Sequence, residues 1–211
     1  MNRYQLRLYL VTDRGLAGER NIEEIVRESV EGGATMVQLR EKDIATRDFV
    51  VLALRLKKAL EPYGVPLIIN DRVDVALASD ADGVHIGQSD MPYPMARKML
   101  GPDKIIGLSV ENFAQIEEAN TLDVDYIGIS PVFATPTKTD TAAPFGLEGL
   151  RKAVKLSVHP TVAIGGMNLD TAADVISTGT DGIAVISAIV CAESPRKASK
   201  ELLKIMEKAA R

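Results

Sequence analysis

Short apolar runs that end in polar, phosphate-compatible residues recur along the whole chain. Gln38-Leu39-Arg40-Glu41-Lys42 follows Thr35-Met36-Val37, Asn70-Asp71 follows Pro66-Leu67-Ile68-Ile69, and Gln88-Ser89-Asp90 follows Gly83-Val84-His85-Ile86. Ser109 ends Ile105-Ile106-Gly107-Leu108, and Thr135-Pro136-Thr137-Lys138 comes shortly after Tyr126-Ile127-Gly128-Ile129. Gly165-Gly166 follows Thr161-Val162-Ala163-Ile164, and Ser187 follows Gly182-Ile183-Ala184-Val185-Ile186. Runs that are apolar at nearly every position suit strands buried on both faces, as in a parallel sheet covered by helices. Chemistry placed at the same end of many such strands is the pattern of a parallel α/β barrel, whose active site lies at the strand C-termini.

Strands are expected near 6–12, 35–39, 66–70, 83–86, 105–109, 125–129, 161–165 and 182–186, with helix-like segments between them. Asn21 can cap a helix over 22–32, with Glu24 placed as the acid of a capping box and Gly32-Gly33 as the stop. Phe49, Val50, Ala53, Leu56 and Leu60 form an apolar stripe over 46–60, and Ser194-Pro195 opens a last helix running through Met206. An open doubly wound sheet would gather its ligands at one switch point, whereas here polar residues follow almost every strand. No Gly-x-Gly-x-x-Gly turn follows the first strand, which removes the main support for dinucleotide binding. The expectation is one α/β domain over residues 1–211, a (β/α)8 TIM barrel; no linker or low-complexity tract divides the chain.

The net charge of −4 argues against nucleic-acid binding, which needs a broad basic surface. It leaves room for anionic substrates, because a local group of Arg and Lys can dominate the field in a cleft. The single cysteine, Cys191, excludes an internal disulfide, and no run approaches the length of a membrane span. A cytoplasmic protein acting on small molecules, with no membrane partner, is the expectation; self-association into a homo-oligomer stays open.

Asp71 and Asp90 are candidate metal ligands, because Mg²⁺ takes oxygen donors and is usually held by one or two carboxylates plus substrate phosphates. Position alone also allows Asp71 to cap a helix starting near Arg72-Val73-Asp74, and Asp90 to be a turn residue before Met91-Pro92. The presence of both, beside Asn70 and Gln88, favours the metal. Arg40, Lys42 and Lys138 are candidate phosphate partners, Arg for its fork of donors and Lys for its compact charge. As solvated loop charges they could instead pair with neighbours such as Glu41 and Asp43. Gly165-Gly166 and Ile186-Ser187 fall after the seventh and eighth strands, where barrels of this kind bind phosphate; a tight turn is the plainer use of the two glycines. His85 alternates with apolar neighbours and reads as an interior histidine. His159 precedes a strand, on the stability face, and Cys191 has no nearby histidine.

With these segments assembled, the chain resembles the thiamine phosphate synthase family nearly end to end. The resemblance is carried by Tyr9-Leu10-Val11-Thr12-Asp13, by residues 38–42, by Ile69 through Ala76, and by Gly83 through Asp90. Residues 105–109, Pro131 through Lys138, Ala163 through Gly166, and Ala184 through Ile189 continue it in order. One departure is Ser130 before Pro131, where the family more often shows glycine. The resemblance implies a transferase that joins hydroxymethylpyrimidine diphosphate to a thiazole phosphate, releasing pyrophosphate, and CO₂ when the thiazole is carboxylated. It implies that Gln38, Leu39, Arg40, Glu41, Lys42, Asn70 and Ser109 bind the pyrimidine diphosphate and that Asp71 and Asp90 bind Mg²⁺. It further implies that Thr135, Pro136, Thr137, Gly166, Ile186 and Ser187 hold the thiazole phosphate, with Lys138 between the two substrates. Arg40, Lys42, Lys138 and Ser109 are the expected catalytic set, and residues 139–145 read as a cover over the site. The competing expectations are a thiazole tautomerase-like isomerase on the same barrel and a non-catalytic phosphate sensor.

Overall fold

The computed structural model describes residues 2–134 and 143–209. Among them lie eight strands: β1 (Leu8–Val11), β2 (Met36–Leu39), β3 (Leu67–Asn70), β4 (Gly83–Ile86), β5 (Ile105–Val110), β6 (Tyr126–Ile129), β7 (Thr161–Ile164) and β8 (Gly182–Val185). They pair in parallel in chain order and close with β8 against β1. Each expected strand is present within two residues of its expected ends. The helices between them are α1 (Arg14–Ala17), α2 (Ile22–Glu31), α3 (Thr46–Leu60), α4 (Val73–Ala78), α5 (Tyr93–Leu100), α6 (Phe113–Ala119), α7 (Gly146–Leu156), α8 (Ala172–Ile176), α9 (Ser187–Val190) and α10 (Pro195–Ala209).

Local chemistry explains several of the ends. Asn21 caps α2 by accepting the Glu23 N–H at 2.8 Å. Glu24 does not reach back to complete a capping box; its carboxylate turns to Arg27 one turn on, at 3.7 Å. Ser194 accepts the Lys197 N–H at 3.3 Å as α10 begins. On α3 the buried stripe is Phe49, Leu52, Ala53, Leu56 and Leu60, so Leu52 takes the place expected for Val50, which sits at the edge.

Alternation along each strand divides the core in two. Leu8, Leu10, Val37, Leu39, Leu67, Ile69, Val84 and Ile86 pack outward under the helices. Leu6, Tyr9, Val11, Met36, Ile68, Tyr126, Val162 and Ala184 form a separate cluster inside the barrel. Each fully buried large apolar side chain contributes about 1.5–3 kcal/mol, so the outer layer carries most of the stability. Closure is tight at β8, where a Cβ on Gly182 would collide with the Leu6 carbonyl.

The N-terminal rim carries a repeated clamp. The residue just before each even strand accepts an N–H from the start of the preceding odd strand and returns its own N–H to the same residue's carbonyl. Thr35 does this with Leu8 (3.0 and 2.8 Å), and Asp82 with Leu67 (2.8 and 2.9 Å). Asp125 does it with Ile106 (2.9 and 2.9 Å), and Asp181 with Thr161 (2.8 and 3.0 Å). Asp125 also pairs with Arg97 and Asp181 with Arg3. The barrel is therefore pinned two strands at a time at the rim opposite its polar end. Replacing Asp82 by alanine should lower the unfolding free energy by about 1–3 kcal/mol, because it strands a backbone donor that had a charged acceptor. Urea denaturation reads the loss, and Asp82→Asn, which keeps an acceptor oxygen, should recover part of it.

Candidate active site

A cavity of about 870 Å³ opens at the strand C-termini, a size within the usual range for small-molecule sites. Gln38, Arg40, Lys42, Asn70, Asp71, Asp90, Ser109, Gly166, Ile186 and Ser187 all line it. Leu39 and Glu41 do not: Leu39 points outward into the layer under the helices, and Glu41 is held by a two-pronged contact from Arg14 at 2.9 and 2.8 Å. Thr135, Pro136, Thr137 and Lys138 lie outside the described residues, as does 139–142 of the expected cover.

The cations are oriented by specific partners. The Arg40 N–H donates to Thr12 Oγ1 at 3.0 Å, and its guanidinium donates to Asp13 at 2.8 Å. Asp13 is itself tied down by accepting the Leu16 N–H at 3.0 Å, as the cap of α1. Lys42 Nζ lies 2.6 Å from Asp71 Oδ2. These pairings replace the neighbouring acids Glu41 and Asp43 as the partners of the two cations.

Asp71 sits in a backbone conformation that non-glycine residues seldom adopt, with φ +62°. The Arg72 N–H reaches the Asn70 carbonyl at 2.7 Å, closing a three-residue turn around Asp71, and the Asp71 N–H donates to the His85 carbonyl at 2.8 Å. Such a turn is rare and strained, and strain of this kind persists where the surroundings over-determine it. It also settles the capping question, since Arg72 occupies the cap position of α4 and makes no side-chain cap bond. Asp90 is a turn residue and a cavity residue at once, because its Oδ2 accepts the Gly87 N–H at 2.7 Å.

The two carboxyl groups share a hydrogen bond, and their proton affinities split. Burial alone would raise Asp71, but the Lys42 ammonium and the bond from Asp90 outweigh it and hold Asp71 below the usual carboxylate range. Burial raises Asp90, and the neighbouring Asp71 charge adds to it beyond what the Gly87 N–H and Lys42 recover. The two carboxyl groups crowd one another, and a cation between them would relieve the repulsion. Among the described residues no group of three or more His, Cys, Asp or Glu side chains could ligate a metal. A cation here would need oxygens from a ligand, as Mg²⁺ sites with phosphate substrates do.

Across the cavity, Gly165 and Gly166 have φ of +101° and +76°. Added Cβ atoms would lie 2.9 Å from the Cβ atoms of Pro131 and Phe133 respectively, so dihedral and space both demand glycine. Thr171 donates to the Gly166 carbonyl at 3.0 Å, and the Phe133 N–H to the Gly165 carbonyl at 3.1 Å. The tight turn is real, and it also forms the cavity wall next to Ile186 and Ser187.

The floor of the cavity holds residues that sequence reasoning passed over. Gln38 Nε2 donates to the Tyr9 hydroxyl at 2.8 Å, and the Tyr9 and Tyr126 hydroxyls lie 2.9 Å apart. Tyr126 is 3.0 Å from His85 Nδ1, and His85 Nε2 is 2.8 Å from Ser109 Oγ. Burial drives both phenols' proton affinities upward, so both stay protonated. Strand periodicity marks Tyr9, His85 and Tyr126 as inward-facing, but nothing in the chain signals that they meet. His159, in contrast, contacts the Ala119 carbonyl at 2.9 Å, away from the cavity, and Cys191 is exposed.

Comparison with known proteins agrees with this geometry. A family model described as thiamine monophosphate synthase matches residues 8–189. The chain is 53% identical over 208 residues to the thiamine-phosphate synthase of Vibrio campbellii, covering 98% of this chain and 100% of that one. It is 52% identical over 202 residues to the Albidiferax ferrireducens thiamine-phosphate synthase, covering 96% and 92% respectively. The solved thiamine phosphate pyrophosphorylase from Pyrococcus furiosus superposes with a TM-score of 0.90 at 46% identity, covering 98% of each chain. Identity at this level, over nearly the whole length and on the same barrel, means that the chain belongs to the thiamine monophosphate synthase family.

Proposed function

We infer that this chain is a thiamine phosphate synthase, a transferase of thiamine biosynthesis, with residues 1–211 acting as one catalytic barrel. It joins hydroxymethylpyrimidine diphosphate to a thiazole phosphate, giving thiamine phosphate and pyrophosphate. The observation that carries this reading is the meeting of Asp71, Asp90 and Lys42 at one edge of a cavity whose far wall is the Gly165-Gly166 turn. Two anionic substrates need two such ends. Full-length identity to synthases leaves the tautomerase-like and sensor readings without support.

Departure of pyrophosphate breaks the bond between the pyrimidine methylene carbon and the diphosphate oxygen, which keeps the electron pair. The amino-substituted ring stabilises the methylene cation, and the thiazole nitrogen lone pair then forms the new C–N bond. A carboxylated thiazole also loses CO₂. The protein's task is to neutralise charge growing on the leaving group and to hold the nucleophile in line. Arg40 and Lys42 serve the diphosphate, with Lys138 placed between the substrates by family resemblance. Gln38, Asn70 and Ser109 hold the pyrimidine. Gly166, Ile186 and Ser187, with Thr135, Pro136 and Thr137, hold the thiazole phosphate. Asp71 and Asp90 fit a divalent cation, for which we propose Mg²⁺: both are oxygen donors that line the cavity, and their mutual repulsion, which raises Asp90, marks a place where positive charge is wanted. When bound, Mg²⁺ supplies charge neutralisation to the diphosphate. No described helix is long and apolar enough to cross a membrane, and the proposed setting is the cytoplasm, where such phosphates are soluble.

Purified protein given both substrates should form thiamine phosphate and pyrophosphate with Mg²⁺, and none with EDTA. No product from folded protein would overturn the assignment.

Asp90→Asn should lower turnover by about two orders of magnitude or more while leaving the cation-free protein as stable as wild type or more so. The sign follows from the raised affinity of Asp90: its folded value lies above its unfolded one, so its contribution to stability falls as pH climbs through that window and is least favourable at neutral pH. Calorimetry checks this. Mg²⁺ with pyrophosphate at a hundred times Kd should stabilise the wild type by about 2.7 kcal/mol and the variant far less.

A further inference from the structure

The hydrogen bonds under the cavity run in one direction when every hydroxyl proton is given an acceptor among the described residues. Gln38 Nε2 can only donate, so Tyr9 oxygen accepts from it. Among the described residues the Tyr9 hydroxyl has one other partner, Tyr126, and its own proton must go there. Sending that bond the other way would leave the buried Tyr9 proton with no acceptor among the described residues, at a cost of about 1–3 kcal/mol. Tyr126 therefore accepts from Tyr9 and donates to His85 Nδ1. An imidazole that accepts at Nδ1 is neutral and carries its proton on Nε2, so His85 donates to Ser109 Oγ. The Ser109 proton is left to point into the cavity that Ser109 lines.

The barrel makes room for this chain with glycines at inward positions. A Cβ on Gly107 would fall on the Tyr126 ring, and one on Gly128 would lie 3.1 Å from His85 Cε1. Tyr9 and Tyr126 also pack edge to face, with ring centroids 6.0 Å apart, which fixes both hydroxyls in place.

We propose that His85, set by Tyr9 and Tyr126, is a positioning residue that makes Ser109 an obligatory hydrogen-bond donor to the substrate ring. The site then selects a ring that offers an acceptor nitrogen. A 4-aminopyrimidine does so beside its amino group, whereas its 4-oxo counterpart carries an N–H there and would face donor against donor. This specificity rests on the synthase reading, but the direction of the chain does not.

The test has two arms. The first uses ligand-free, ¹⁵N-histidine-labelled protein at mildly alkaline pH. The chain has two histidines, so His159→Gln assigns the signals. His85 should be neutral and protonated at Nε2; a proton at Nδ1 overturns the proposal. The second titrates 4-amino and 4-oxo pyrimidine diphosphates into wild type, His85→Leu and His85→Gln. His85→Leu should weaken 4-amino binding about tenfold, erode discrimination against the 4-oxo compound, and leave thiazole phosphate affinity unchanged. His85→Gln should restore most of the discrimination, because its amide can accept from Tyr126 and donate to Ser109. Equal weakening of all three ligands, or no rescue by glutamine, would show a merely structural role and overturn the proposal. Discrimination by the wild type that His85→Leu loses, without any coupled product, would support the positioning role and count against the synthase assignment alone. Should His85→Leu fail to fold, the same titrations on Tyr126→Phe take its place, with the same expected result.

Discussion

The pairing of β8 with β1 is the constraint on which the rest depends. Only a closed sheet brings the ends of eight strands to one rim, and closure requires β8 to approach the Leu6 carbonyl so nearly that Gly182 has no space for a side chain. An eight-stranded barrel is just wide enough for its inward side chains to fill. Glycines at 107 and 128 decide which ones do, by ceding their volume to Tyr126 and His85. A polar floor inside the barrel thus follows from closure as directly as the outer apolar layer does.

The two rims divide the work. At the N-terminal rim, Thr35, Asp82, Asp125 and Asp181 find backbone donors, and every partner is internal. At the C-terminal rim, carboxylates are pressed together and Asp71 is held at φ +62°. Backbone strain of this kind costs on the order of 1–3 kcal/mol. The clamps and the helix layer offset it, which is the usual bargain between a stable scaffold and a preorganised site. The bond from the Asp71 N–H to the His85 carbonyl ties the cation edge, at the end of β3, to β4 and the floor.

What could be read from the sequence divides along the same physical lines. Strand positions are legible because parallel strands buried on both faces leave near-continuous apolar runs, as in Ile68-Ile69 and Ile127 through Ile129. The rim residues Arg40, Lys42, Asn70, Asp71, Asp90 and Ser109 are legible because each follows such a run, and all six line the cavity. The outward turn of Leu39 and the engagement of Glu41 by Arg14 were not, since contiguous motif residues alternate sides in a strand and a loop acid takes whichever cation packs nearest. The rim clamps and the Tyr9–Tyr126 contact were also invisible. They join residues 15 to 117 positions apart, through a register that only the closed barrel sets.

A reaction that runs by departure of a stabilised leaving group asks little of general acid–base chemistry, and the cavity reflects that. Its one imidazole is committed at both nitrogens to neighbours within the floor, so it is poorly placed to shuttle protons to a substrate. What the cavity offers instead is charge and orientation. Cations are tied by acids to fixed places, two carboxyl groups face one another beside Lys42, and a serine has its donor direction decided from beneath. The charge stabilises the leaving group as its bond breaks, where interactions formed in the transition state count most. The oriented floor acts earlier, by admitting only a ring whose hydrogen-bonding edge matches it. Catalytic power and ring selectivity are thereby carried by different residues, with the Asn70-Asp71 turn and its bond to the His85 carbonyl the place where they are joined.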